Sequence, residues 1–302
     1  MNRTQRLLLD WYARNGREHL PWRATRDPYR ILVSEFMLQQ TQVDRVLPKY
    51  EAFVERFPDF ASLAAAATSE VLRLWQGLGY NSRAVRLRQL AQAVVERFDG
   101  RMPHDQEALR SLPGVGPYTV AAIRAFAFNL DDAAVDTNVR RVVHRVLHGL
   151  EYPPSVPQRA IDASAHDIVP HGRGHDWNSA MMDLGATICT ARAPKCLLCP
   201  LNGACKAAPV DAAALERARS KYARPRSPQE KMRFEDTTRY ARGRIIDRLR
   251  DLPPGQRISL LDLHGEVGPR LNRTPDEIAA ILRDLVRDGL VRFEDQQVAL
   301  QD

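Results

Sequence analysis

Apolar residues recur at intervals of three and four through nearly every segment of the first two hundred positions, and this periodicity constrains the fold more than any other feature of the chain. Val71, Leu72, Leu74, Trp75 and Leu78 follow it, as do Leu87, Leu90, Ala91 and Val94. Such spacing lines one face of a helix, whereas a half-buried strand alternates with period two. Alternation of that kind is almost absent before residue 290. Phe57-Pro58-Asp59 breaks one predicted helix, and Ser69-Glu70 reads as the start of the next. With 302 residues, 44% of them hydrophobic, the chain can bury a real core and has room for two domains.

The pattern changes after Cys205. Between Glu216 and Arg244 there are ten Lys or Arg against four Asp or Glu, with Pro225 and Pro228 among them, which reads as a basic linker. Beyond it, helices are predicted at Arg244–Arg250, Ser259–Val267 and Pro275–Arg287, the last with Thr274 as its N-cap. Leu290–Phe293 and Gln297–Leu300 alternate as a hairpin would. Three helices and a hairpin resemble a winged-helix module, in which Arg283, Arg287 and Arg292 offer partners for phosphates; a protein-contact role is the other reading.

A formal charge of +7 favours polyanionic partners, nucleic acid first, although simple solubility also accounts for it. The N-terminal MNRTQRLLLDWYARNG is broken by charges too early for a signal peptide or membrane span. A cytoplasmic, nucleoid-associated monomer with no membrane partner is expected.

All four cysteines, Cys189, Cys196, Cys199 and Cys205, form one C-x6-C-x2-C-x5-C run. Two disulfides, a tetrahedral Zn²⁺ and an iron–sulfur cluster all suit four thiols, and spacing alone leaves zinc and the cluster both open.

Residues 112–119 read Leu-Pro-Gly-Val-Gly-Pro-Tyr-Thr before an apolar helical run. Gly114 and Gly116 permit a tight turn whose N–H groups face outward at a helix N-terminus, a site for a backbone phosphate. An ordinary helix–helix turn needs no more than this. Asp136, in Ala-Val-Asp-Thr-Asn-Val, sits at a predicted helix start; an N-cap carboxylate there keeps a low pKa, which suits an anion facing a cationic transition state. Glu35 is the sole acid in Leu-Val-Ser-Glu-Phe-Met-Leu, where burial raises a carboxyl's pKa and suits a general acid; a structural buried Glu is the alternative.

Taken together, these motifs resemble the MutY-like adenine glycosylases of the helix-hairpin-helix (HhH-GPD) superfamily over roughly residues 1–206. The resemblance rests on Leu20-Pro21-Trp22-Arg23, Asp27-Pro28-Tyr29, the Glu35 segment through Val43, the glycine hairpin, Asp136 and Asn178–Ala186. The cysteine run, with Cys-Leu-Leu-Cys-Pro at 196–200, resembles the superfamily's iron–sulfur loop, and so implies a [4Fe–4S] cluster on the four cysteines with Arg192 and Lys195 turned to DNA phosphates.

The resemblance implies a mainly α, two-lobed glycosylase core with a cluster loop. Its parts are 1–206, divided into a six-helix module at 22–130 and a cluster-bearing lobe at 1–21 and 131–206, then a linker at 207–242 and the winged-helix-like module at 243–302. It implies that Glu35 protonates the departing base and Asp136 stabilises the oxocarbenium-like sugar. Gln40 and Tyr80 would fill or wedge the base stack, and Thr41 and Leu78 would approach the opposing base. Arg23, Tyr118, Asn138 and Ser179 would complete the pocket. Tyr118 stands where strand-cleaving members carry the Lys that forms a Schiff base, so a monofunctional enzyme is implied.

The family pattern includes a Nudix-like C-terminal domain, which the helical pattern and single hairpin after residue 243 are not expected to form. Asn81 replaces the second Tyr of Gly-Tyr-Tyr, Thr137 replaces the Gly of Asp-Gly-Asn, and Ser179 replaces Gln or Glu. The expected function is therefore excision of adenine opposite 8-oxoguanine or guanine from mismatched or damaged double-stranded DNA. The alternatives are a thymine or uracil glycosylase on G mismatches, another damaged-base glycosylase, and a non-catalytic DNA-binding regulator.

Overall fold

The computed structural model describes residues 1–152, 156–223 and 232–302, so Pro225 and Pro228 of the expected linker lie outside the described residues. In chain order, the first helices are α1 (Arg3–Asn15), α2 (Pro28–Leu38), α3 (Val43–Arg56), α4 (Phe60–Ala65) and α5 (Thr68–Leu74). There follow α6 (Ser82–Phe98), α7 (Gln106–Arg110), α8 (Pro117–Phe126), α9 (Thr137–Val143) and α10 (Gln158–Asp167). The rest are α11 (Gly174–Thr187), α12 (Ala212–Lys221), α13 (Thr238–Arg250), α14 (Leu260–Leu271) and α15 (Pro275–Arg287). The core is thus mainly α, as the periodicity requires. No helix among the described residues is long and apolar enough to cross a membrane.

The chain forms two compact units. The first comprises Met1–Leu32, Pro103–Ser111 and Val115–Pro225; the second comprises Val33–Met102, Leu112–Gly114 and Arg226–Asp302. In the first, Leu8 and Tyr12 of α1, Val139 and Val142 of α9, Ile161 of α10 and Trp177 and Leu184 of α11 share one core. Trp177 and Leu8 are fully enclosed, and burying side chains of this size contributes about 1.5–3 kcal/mol each. Cys189, Cys199 and Cys205 pack against the same core, so the cysteine loop is seated on α9 and α11. A π-helical turn at His144–His148 prolongs α9 and carries Arg145.

In the second unit, Phe53 meets both Phe57 and Trp75 edge-on, with ring centroids 5.1 and 6.0 Å apart. Leu72, Leu87, Leu90 and Val94 are buried with them, the helical stripe read from the sequence. The C-terminal helices α13–α15 pack their own core, including Ile245, Leu249, Leu263, Ile278 and Leu282. Strands β1 (Ile258–Ser259), β2 (Val291–Glu294) and β3 (Gln297–Leu300) form an antiparallel sheet in the order β1-β3-β2.

Several details differ from the sequence reading: helix α4 lies between the break at Phe57-Pro58-Asp59 and the helix read from Ser69, and α14 runs to Leu271 rather than Val267. Helix α13 begins at Thr238 rather than Arg244, because the Thr237 hydroxyl accepts from the Tyr240 N–H and caps it upstream. The stretch read as linker holds α12, whose N-cap Asp211 accepts from Ala213 and Ala214 N–H. Strand β1 adds a third member to the expected hairpin; two residues are too short to show alternation.

Candidate functional site

In the second unit, two loops are organised by one side chain. Arg83 is 5% exposed, on the core face of α6. Its Nη1 donates to the carbonyls of Phe36 (2.7 Å), Met37 (3.1 Å) and Gln39 (2.6 Å). Its Nη2 donates to Thr41 Oγ1 (3.1 Å) and to the carbonyls of Leu78 (3.0 Å) and Gly79 (3.2 Å). The guanidinium thus caps the C-terminal end of α2 and ties it to the 77–81 loop, where carbonyl dipoles favour a cation. Burial pushes its pKa down to about 10, so it stays charged at neutral pH.

The loops so held carry the residues expected to face DNA. Gln40 and Tyr80 both adopt left-handed backbone, at φ 55° and 47°. Non-glycine residues rarely sit there, and strain of this kind collects at functional sites. Gln40 is exposed and Tyr80 36% exposed, while Leu78 is buried. The Thr41 hydroxyl joins the loops by donating to the Leu78 carbonyl at 3.3 Å. Glu35, one turn before the end of α2, is 8% exposed. Gly114 has φ 76°, and an added Cβ would press on Phe36 and Arg86 at 3.3–3.4 Å.

In the first unit, Asp136 is the N-cap of α9. Its Oδ1 accepts from the Val139 N–H at 2.7 Å and its Oδ2 from the Asn138 amide at 2.9 Å. Asn138 Oδ1 in turn accepts from Arg141, which also donates to the carbonyls of Gly185 and Cys189, each at 2.7 Å. A continuous set of bonds therefore runs from Asp136 to the first cysteine of the loop. Helix α11 approaches closely enough that a Cβ on Gly185 would lie 2.8 Å from that of Asn138. Gly116 caps α8 with extended backbone, leaving the first N–H groups of α8 outside helical bonding, and Tyr118 lies in that first turn, half-buried.

Ser179 is fully buried on α11, where its hydroxyl accepts from Arg23 and bonds Tyr12. Burial raises the Tyr12 pKa against the opposing pull of Arg23. Arg23 also lies 3.6 Å from Asp183 and over the Phe126 ring at 5.3 Å. These two expected pocket residues therefore meet each other.

Cys189, Cys196, Cys199 and Cys205 line one cavity of about 370 Å³, space open to solvent included, together with Arg145, Leu184 and Lys195. Among the described residues, no three His, Cys, Asp or Glu side chains group as a single ion would require. Burial, with the neighbouring thiols adding, pushes Cys199 up to about 11, and burial also raises Cys189. Arg145 donates to Cys189 Sγ (3.6 Å), the Thr190 carbonyl (2.8 Å) and Glu151 (2.8 Å). Arg192 and Lys195 are exposed on the loop.

Sequence reasoning missed Arg83, Arg141 and Arg145. Arg83 carried a signal, since it precedes Leu87, Leu90 and Val94 at core-face spacing. The carbonyls it binds carry no such mark.

A helical fold with a glycine-hinged turn, a capped Asp136 and a four-thiol cavity defines a class. The chain belongs to the HhH-GPD superfamily of base excision DNA repair proteins, whose model matches residues 33–155, and the known relatives it resembles narrow that class. It is 42% identical over 246 residues to the adenine DNA glycosylase of Mycolicibacterium smegmatis, covering 81% of this chain and 79% of the relative. It is 47% identical over 199 residues to that of Mycobacterium tuberculosis, covering 65% of this chain but only 64% of the relative. Among solved structures, a thermostable thymine-DNA glycosylase superposes with TM-score 0.61 at 34% identity, covering 66% of this chain and 92% of that one.

Proposed function

We propose that the chain is a monofunctional DNA glycosylase that releases adenine opposite 8-oxoguanine or guanine. Support for adenine comes from the relatives' activity, and support for the chemistry from Asp136, whose carboxylate two donors hold at the N-terminus of α9. Glu35 gives a proton to N7 of the adenine, the glycosidic bond breaks with its electrons passing to the base, and Asp136 stabilises the cationic sugar. Water adds at C1′ and its proton leaves, so the products are adenine and an abasic site. Tyr118 offers a phenol where a strand-cleaving enzyme needs an amine, so no imine forms and the strand stays whole.

A [4Fe–4S] cluster on Cys189, Cys196, Cys199 and Cys205 belongs to the same reading. Support for it comes from the four thiols lining one cavity, the donor set such a cluster takes, together with the resemblance of the cysteine run to the superfamily's iron–sulfur loop. Its positive irons would favour the thiolate form that burial opposes. The bound cluster would hold the loop in shape. Purified protein should be brown with stoichiometric iron; stoichiometric zinc without iron would overturn the assignment.

The functional test is a panel of duplexes with single mismatches or lesions, assayed for abasic sites with and without alkali. Adenine release opposite 8-oxoguanine or guanine, with cutting only after alkali, is expected. Release of thymine opposite G and not of adenine would replace this reading with that of the thymine-DNA glycosylase, and a borohydride-trapped adduct would contradict the monofunctional assignment.

A further inference from the structure

The C-terminal helices meet the 77–81 loop through a set of arginines that the proposed chemistry does not use. Arg250, at the end of α13, is 7% exposed and donates to the Leu72 carbonyl at 2.8 Å and to Asn81 Oδ1 at 2.6 Å. Arg73 answers from α5, donating to the Arg250 carbonyl and to that of Leu252 at 2.8 Å. Asn81 has an amide oxygen at the reach Arg250 requires. The loop bearing Tyr80 is therefore held by Arg83 on α6 and, one residue on, by Arg250 of the C-terminal module.

At the other end of α13, the Arg239 guanidinium lies 4.0 Å from the Tyr80 ring centroid, close enough for a cation–π contact. Arg83 lies over the same ring at 5.4 Å. Arg239 differs from the other four arginines of α13. Arg242 pairs with Asp288, Arg248 with Glu266, and both Arg244 and Arg250 with Asp247. Arg239 forms no ion pair among the described residues and is exposed.

The expected winged-helix surface is less suited to DNA. The first turn of α15 holds Asp276 and Glu277, Arg287 pairs with Asp284, and Arg292 lies 4.0 Å from Asp302. Two of the three arginines expected to take phosphates there are thus answered within the module, and Arg283, exposed and without an ion pair among the described residues, is the third. An exposed cation stacked on a half-exposed ring, the ring on strained backbone, is instead the combination that binds a nucleic-acid backbone beside an unstacked base.

We propose that Arg239 is a DNA-contacting residue of the C-terminal module that works as a pair with Tyr80, Arg250 and Asn81 being the positioning residues that fix the loop beneath them. The inference rests on the reading that the Gln40 and Tyr80 loops meet DNA at the excision site. The guanidinium takes a phosphate next to the opened base pair while its face stays on the phenol.

The test is the salt dependence of binding by the full chain to a duplex carrying a tetrahydrofuran abasic-site analogue. Arg239 is exposed, so its variants fold. Arg239→Gln should weaken binding about tenfold and lower the slope of log K against log salt by about 0.9, one phosphate's share. Arg239→Lys should keep the slope yet lose part of the affinity, because an ammonium does not stack as a guanidinium does. In a Tyr80→Ser background, the loss caused by Arg239→Gln should shrink to about twofold or less, the mark of a coupled pair. An unchanged slope, or fully additive losses, would overturn the proposal. Excision by the wild type on adenine opposite 8-oxoguanine is measured alongside. Base release without coupling removes this inference and leaves the enzyme reading standing, whereas coupling without base release from any duplex does the reverse.

Discussion

The cysteine loop of the first unit and the paired loops of the second are each organised by a buried arginine, but the two charges are neutralised differently. Burial works against the charge of Arg145, yet the Glu151 carboxylate, by hydrogen bond and Coulomb attraction, raises its pKa above the ordinary value. Arg83 has carbonyls and a hydroxyl for partners, and burial pulls it down to about 10. A carboxylate cancels a charge, whereas carbonyl dipoles solvate it and leave it net positive. The second unit consequently keeps an uncancelled cation beneath Gln40 and Tyr80, while in the first Arg145 and Glu151 cancel each other beside the cysteine loop.

Removing each arginine tests that difference. Arg83→Met leaves the carbonyls of Phe36, Met37, Gln39, Leu78 and Gly79 without their shared donor, and a loss on the order of 3–5 kcal/mol is expected in urea unfolding. A loss below about 1 kcal/mol would mean that water replaces the guanidinium and that the loops organise themselves. Arg145→Met should lose less, about 2–3 kcal/mol, because Glu151, with 18% of its side chain exposed, can turn to solvent. Glu151→Gln in that background should recover part of the loss by removing the orphaned charge. No recovery would show that the two arginines are neutralised alike.

A smaller effect concerns the bonds that link Asp136 to the cysteine loop. Gly185→Ala places a methyl 2.8 Å from the Asn138 Cβ, which should cost about 1–2 kcal/mol and shift the amide that donates to Asp136. Single-turnover excision should fall about tenfold, the worth of one displaced hydrogen bond. An unchanged rate beside a lowered stability would show that the Asn138 amide does not set the carboxylate's position.

How much of this is legible in the sequence depends on how local each signal is. The caps at Asp136 and Thr274 and the stripe of Leu87, Leu90 and Val94 could be read because their partners lie within a few residues. Bonds from Arg83 to Phe36, from Arg145 to Thr190 and from Arg250 to Asn81 could not, since each joins residues far apart in sequence and ends on a carbonyl or amide that any sequence supplies. The same reason hid the contact of α13 with the Tyr80 loop. A basic stretch marks the module as cationic but does not show that most of its arginines are paired internally and that Arg239 is not.

On the proposed reading, base release depends on Glu35 for the proton and on Asp136 for the negative charge. Single-turnover excision of adenine opposite 8-oxoguanine, compared for wild type, Glu35→Gln and Asp136→Asn at matched enzyme saturation, tests it most directly. Each variant should lose about 10²–10⁴-fold in rate while binding the duplex within about threefold of wild type, a difference under 1 kcal/mol. Retention of wild-type rate by Glu35→Gln would contradict the account and return Glu35 to a structural role in α2.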